Sequence, residues 1–178
     1  MSDDGDAVSS LRAVAHPLRL RILSLLTGTE LSAAEVAREL GVTHANASYH
    51  LRVLADAGEV VVAGEEKIRG GVAKRYRHPW EQQRTTGSSA SSSERERETY
   101  VRAMAEELVR RSRHRSPRSR MQMTDAELWV TPEVWKRVSA LVEEASTLVH
   151  AEAQPPRTPG TVHVNLTAAT FEITEPTR

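Results

Sequence analysis

Apolar residues fall at three- and four-residue intervals through most of the first 57 positions, the spacing of helices with one buried face. From Ser9 or Ser10, Leu11, Val14 and Ala15 form a short helical stripe. His16-Pro17 interrupts it, because proline suits the first helical position and pushes the residue before it out of the helical region. A second helix is expected through LRLRILSLLTG, with Leu18, Ile22, Leu25 and Leu26 inward and Gly28 at its end. Arg19 and Arg21 fall on its other side, facing solvent or a neighbouring phosphate chain. His16 reads as a boundary residue rather than a metal ligand, since no second histidine lies nearby at ligand spacing.

Residues 31–57 hold the densest pattern. Ser32 and Glu35 have the spacing of a capping box, and Val36, Ala37 and Leu40 supply an apolar face. Gly41 suits a helix end and Thr43 suits the cap of the next helix. There Ala47, Leu51 and Leu54 recur at four and three residues, while His44, Asn46, Ser48, Tyr49 and Arg52 occupy the other side. A short helix, a glycine turn and a second helix with a polar face make a helix-turn-helix pattern, whose second helix fits a DNA major groove. An ordinary helical hairpin with a polar outer face has the same signature, so the flanking segments decide.

Beyond Gly58 the pattern changes to short β-branched runs. Glu59–Ala63 and Val72–Arg77 are expected as two antiparallel strands around a glycine-rich loop, Gly64–Gly71, with Tyr76 on the inner face. Lys67, Arg69, Lys74, Arg75 and Arg77 gather where this hairpin projects, which suits phosphate or minor-groove contact. Glu65 and Glu66 would oppose that role at the very tip. Helices, a helix-turn-helix and a hairpin, in that order, predict a winged helix over residues 9–80.

Residues 81–93 contain TTGSSASSS and read as a flexible linker. A helix is expected from Glu94, with Tyr100 or Val101, Met104, Ala105 and Leu108 on its apolar side, acidic residues first and Arg110, Arg111 and Arg113 last. The basic run 110–120 either touches DNA beside the main site or is a solvated loop. Glu127–Thr131 reads as a short strand, then Thr131 caps a helix starting at Pro132. In that helix Val134, Val138, Leu141, Ala145 and Leu148 form a heptad-like seam, widened by Trp135 and Val142. Trp129 and Trp135 can belong to a core or line a small-molecule pocket. Thr161–Phe171 alternates loosely and reads as a strand pairing with 127–131 or with a second chain. The fold class expected is α+β, a mainly helical winged domain followed by a small α+β dimerisation or effector region over 94–178.

Composition narrows the function classes. The 178 residues balance 24 basic against 24 acidic side chains, so non-specific coating of nucleic acid is not expected. The charge is uneven, however: residues 81–120 carry ten basic and six acidic groups, and 121–178 carry four and eight. There is no cysteine, which excludes disulfides, thiolate metal sites and cysteine nucleophiles. No apolar run is long enough for a membrane span, and the start MSDDGDAVSS lacks the basic and apolar parts of a signal peptide, so a cytoplasmic, nucleoid-associated location is expected. No Ser/His/Asp arrangement, phosphate-cradling loop or HExxH motif appears, and His114, His150 and His163 are scattered. The chain is not expected to be an enzyme or to carry a cofactor or metal.

The runs LRAVAHPLRLRILSLL and LSAAEVARELGVTHANASYHLRVLADAGEV, followed by the charged hairpin, resemble the ArsR-like winged-helix repressors over about residues 9–80. The resemblance implies a homodimer that binds an inverted-repeat operator on double-stranded DNA. It places Thr43, His44, Asn46, Ser48, Tyr49 and His50 in the base-reading segment, with the wing at 62–75, although His50, beside Leu51 and Leu54, can also serve packing. Arg52, Lys67, Arg69, Lys74 and Arg75 are then the backbone or wing contacts. Two departures stand out. Without cysteine, one class of metal-sensing member is excluded, and Glu59 stands where an apolar residue is usual. ELWVTPEVWKRV and VHVNLTAATFEI further resemble the larger members with a C-terminal extension. Leu11, Val14, Val101, Met104, Leu108, Val138, Leu141 and Leu148 are the expected dimer contacts. A small-molecule effector is possible in the C-terminal half, its identity open. The competing reading is a winged-helix module for protein interaction with little specific DNA binding.

Overall fold

The computed structural model describes residues 11–82 and 93–174. After a helical turn at 11–14, the element order is α1 (Pro17–Thr27), β1 (Leu31–Ser32), α2 (Ala33–Leu40), α3 (His44–Asp56), β2 (Val61–Ile68), β3 (Gly71–Arg77), α4 (Glu94–Ser112) and α5 (Pro132–Ala151). The chain is therefore mostly helical with one three-stranded antiparallel sheet, ordered β1-β3-β2. The expected loose start at 1–8 lies outside the described residues, as does most of the expected serine-rich linker (83–92).

Local chemistry sets most of these boundaries. His16 caps α1 by accepting the Leu18 N–H on Nδ1 at 3.1 Å, and Pro17 follows at the first helical position. Ser32 and Glu35 form a complete capping box on α2, and Gly41 ends that helix at φ 66°, in the left-handed region that glycine adopts without strain. Thr43 caps α3 by accepting the Asn46 N–H at 3.2 Å. A second capping box, Ser93 with Glu96, starts α4.

The core joins α1, α2, α3 and the base of the hairpin: Leu18, Ile22, Leu26, Val36, Ala47, Leu51, Leu54 and Val60 are all buried. Leu23 joins them, and Leu25 is only half-buried. Tyr76 packs on this core from β3, as its alternation predicts. The hairpin differs from expectation in length. β2 and β3 run almost to the tip, leaving a two-residue turn at Arg69-Gly70, with Gly70 at φ 97°. Glu65 and Glu66 therefore lie within a strand, not at the tip. A bulge between Val62 and Gly64 adjusts the register. β1, unforeseen in the sequence, adds Leu31 opposite Tyr76 and Ser32 opposite Arg75.

Helix α4 packs against α1. Its inward face is rotated from the expected one: Ala103 and Glu107 are buried, Tyr100 and Met104 are half-buried, and Val101, Ala105 and Leu108 face solvent. Glu107, 3% exposed, accepts hydrogen bonds from Arg110 at 2.8–3.0 Å and from Arg111 at 3.3 Å. Burial pushes its carboxyl up, but Arg110 and Arg111 outweigh burial and hold it below the ordinary value. Glu59, the unusual acid at the base of the wing, is buried, and its carbonyl accepts a hydrogen bond from His78 Nδ1 at 2.8 Å.

The expected strands at 127–131 and 161–171 do not form in the single chain, and both stretches are exposed. The physical reason is that a strand needs a paired backbone, and neither stretch has one here. Trp129 is not core; it stands 88% exposed. Helix α5 buries no residue, and its seam is open to solvent from Val134 to Leu148. Its C-terminal end does touch the winged domain, where His150 lies 5.5 Å from the Trp80 ring and Arg157 pairs with Glu39 at 2.5 Å. No described helix is long and apolar enough to cross a membrane.

Candidate nucleic-acid interface

Helix α3 is anchored by Ala47, Leu51 and Leu54, each with no exposed surface. That one-sided burial fixes what remains outside. Thr43, His44, Asn46, Tyr49 and Arg52 are exposed, and Ser48 is half-buried among them. These groups offer hydroxyl, amide, imidazole, phenol and guanidinium chemistry on one open side, which suits base edges and the thymine methyl. The Thr43 oxygen already accepts the Asn46 N–H, so its hydroxyl proton and one remaining lone pair are what it can offer a ligand.

His50 does not belong to this set. It is 7% exposed and faces the core side, next to Leu51 and Leu54. Its ring centroid lies 4.7 Å from that of His16 and 5.1 Å from that of Tyr49. Burial favours the packing role over the base-reading one, because position 50 shares the helix face of positions 47 and 54. His50 instead supports Tyr49 from beneath and joins the start of α1 to α3.

The wing divides in the same way. Lys67, Arg69 and Lys74 are exposed, with no side-chain hydrogen bond or ion pair to any described residue. Arg75 does not match the expected backbone contact. Its guanidinium pairs with Glu35 at 3.1 Å and Glu66 at 3.0 Å, and it donates to the Glu30 carbonyl. β3 opposes Ser32 to Arg75, which aims that side chain at α2 rather than outward. Arg77 lies 3.9 Å from Glu81, a long and partly exposed pair. Arg21 is likewise used internally, donating to the Leu40 carbonyl at 2.9 Å and closing the end of α2. Glu35 is held below its ordinary value first by the Ser32 backbone N–H, against the push of burial, and further by the Ser32 hydroxyl and Arg75.

The surface is thus a polar helix beside a hairpin with three uncommitted cations. Comparison with known families matches residues 14–61 to the model described as "Helix-turn-helix domain". Residues 14–61 are a helix-turn-helix domain. With β2 and β3 beside it, the segment has the architecture of a winged helix-turn-helix, of the DNA-binding, transcription-regulatory type. Among the described residues, no group of three or more His, Asp or Glu is placed to hold a metal ion. Comparison with curated proteins gives no match. Among solved structures, the chain is similar to reduced HlyU from Vibrio cholerae at 28% identity, covering 61% of this chain and 88% of that one. The TM-score is 0.34, a superposition too loose to inform the fold.

Of the expected dimer contacts, Val14 is buried in the domain's own core and Leu11 packs against it, so Val14 has no surface to offer a partner. Val101, Leu108, Val138, Leu141 and Leu148 are exposed, and Met104 is half-buried.

Proposed function

We propose that the chain is an ArsR-like, sequence-specific repressor that binds an inverted-repeat operator as a homodimer. Each copy reads one major groove with Thr43, His44, Asn46, Ser48 and Tyr49, Arg52 contacting the adjacent backbone, the half-sites lying about one helical turn apart. Lys67, Arg69 and Lys74 hold the phosphate backbone. The observation that supports this reading is the pairing of an exposed polar face on α3 with wing cations that have no internal partner. The chain has no cysteine, so any signal acts without thiolate chemistry. The test is binding of the full chain to the DNA upstream of its own gene, with footprinting. Protection of two symmetric half-sites is expected. Equal affinity for that fragment and for random DNA at matched salt refutes the reading and favours a protein-interaction role.

A further inference from the structure

The C-terminal third is unfinished as a single chain. Residues 121–131 and 161–174 form neither helix nor strand, yet they hold Leu128, Trp129, Val162, Val164, Leu166 and Phe171, all exposed. Among the described residues, no backbone hydrogen bond reaches 121–130 or 162–174. Between the two stretches lies α5, whose seam residues Val134, Val138, Leu141 and Leu148 are also exposed, Leu141 at 56%. Apolar surface on this scale marks an interaction site.

We propose that residues 121–174 are a dimerisation arm, in which 121–131 of one copy pairs as a β-strand with 161–174 of a second copy and the two α5 seams pack together. This deepens the homodimer part of the functional reading and rests on it.

Four observations favour a second copy as the occupant. The unmet groups are backbone amides and carbonyls, in one stretch with the apolar run Leu128-Trp129-Val130 and another with apolar residues alternating at Val162, Val164 and Leu166, and a strand's partner is polypeptide. Each copy supplies two such stretches flanking one helix, so a twofold arrangement satisfies all four at once, with the same surface on both sides. The charges also match. Residues 81–120 carry a net +4 and residues 121–178 a net −4. Arg113, Arg118 and Arg120 have no side-chain hydrogen bond or ion pair to a described residue, so an acidic arm crossing from a second copy finds cations available. Finally, the 20-residue α5 spans about 30 Å. Two such helices with two strand pairs are of the size needed for the roughly 1,600 Å² of a standard stable interface.

The test uses the full chain without DNA: sedimentation equilibrium together with amide hydrogen exchange at several protein concentrations. The expected result is a dimer in which amides of 127–131 and 162–171 are protected, with protection fading on dilution. Leu141→Asp replaces a side chain that the single chain leaves in solvent, so the winged domain stays folded. Its dimerisation should weaken by about tenfold or more, and the arm amides should lose protection while those of α1 and α3 keep theirs. A monomeric chain overturns the proposal. So does a dimer whose arm amides exchange freely, or protection that persists in the monomer, which means the two stretches pair within one chain. A protected dimer that ignores operator DNA upholds the arm and sinks the functional reading.

Discussion

His50 shows how one side chain ties helix α3 to acidity. Burial first, then the His16 ring and the Arg19 guanidinium, hold its pKa below the ordinary 6.5. His16 is lowered too, by burial and by Arg19, with Glu106 pulling the other way. His16 must also stay unprotonated at Nδ1 to accept the Leu18 N–H. His78 is lowered mainly by burial. A base whose folded pKa is depressed binds protons more readily when unfolded, so stability is full above about 6.5 and falls as pH drops through the folded values. The depressed carboxylates Glu35 and Glu107 act only below their own ordinary 4.5. Between pH 7 and pH 5 the histidines therefore dominate. Thermal melting should show Tm falling over that range, with a smaller fall in His50→Gln; an equally steep fall in the variant removes His50 from the account. Its neighbour Asn46 belongs to the opposite side of the helix. Asn46→Ala should weaken operator binding by about 1–3 kcal/mol and leave binding to random DNA nearly unchanged. Equal losses on both DNAs remove it from base reading. The sequence separated these faces except at His50, because an imidazole suits both a core edge and a groove and only the packed rings decide.

At the scale of elements, the helix caps were legible, and the hairpin turn and the links between elements were not. Ser32, Glu35, Gly41, Thr43 and Pro17 act where their spacing placed them, because each answers to residues three or four positions away. Arg75 reads in the sequence as a wing cation like Lys74. Only strand pairing across 40 residues reveals that it reaches Glu35. The same limit applies to Glu107, hidden in a helix whose charged letters suggest solvent, and to β1, too short to leave a periodic trace. Glu35 Oε2 accepts from the Ser32 N–H and hydroxyl, each at 2.8 Å, and from Arg75 at 3.1 Å. One carboxylate thus joins the α2 cap to the sheet. Ser32→Ala should cost about 1 kcal/mol as the loss of a cap, and Arg75→Ala about the same or less as a partly exposed pair. Because they share Glu35, their effects should depart from additivity by at least about 0.5 kcal/mol in denaturant melts of the single and double variants. Simple additivity makes the cap and the sheet contact independent. The strands expected at 127–131 and 161–171 fail for a related reason: an apolar run or an alternation marks a chain able to pair, but not the backbone it pairs with.

For the whole molecule, a net charge of zero puts the weight of DNA binding on a few local cations. Once Arg21 and Arg75 are assigned to the scaffold, Arg52, Lys67, Arg69 and Lys74 are the uncommitted cations of the recognition helix and wing. Each phosphate contact releases counterions and adds about −0.9 to the slope of log K against log salt on duplex DNA. A dimer makes every contact twice. Arg69→Ala should therefore reduce the slope by about 1.8, against about 0.9 for a chain that binds as a monomer. The measurement is operator affinity of the full chain and of Arg69→Ala over a range of salt concentrations, with random DNA alongside. The loss should appear on both DNAs, since a phosphate carries no sequence. It should also be equal on both, which sets it apart from Asn46→Ala. An unchanged slope takes Arg69 off the DNA. A change near 0.9 keeps the wing on the backbone but argues against two copies binding together, and would turn attention from the paired half-sites to a single one.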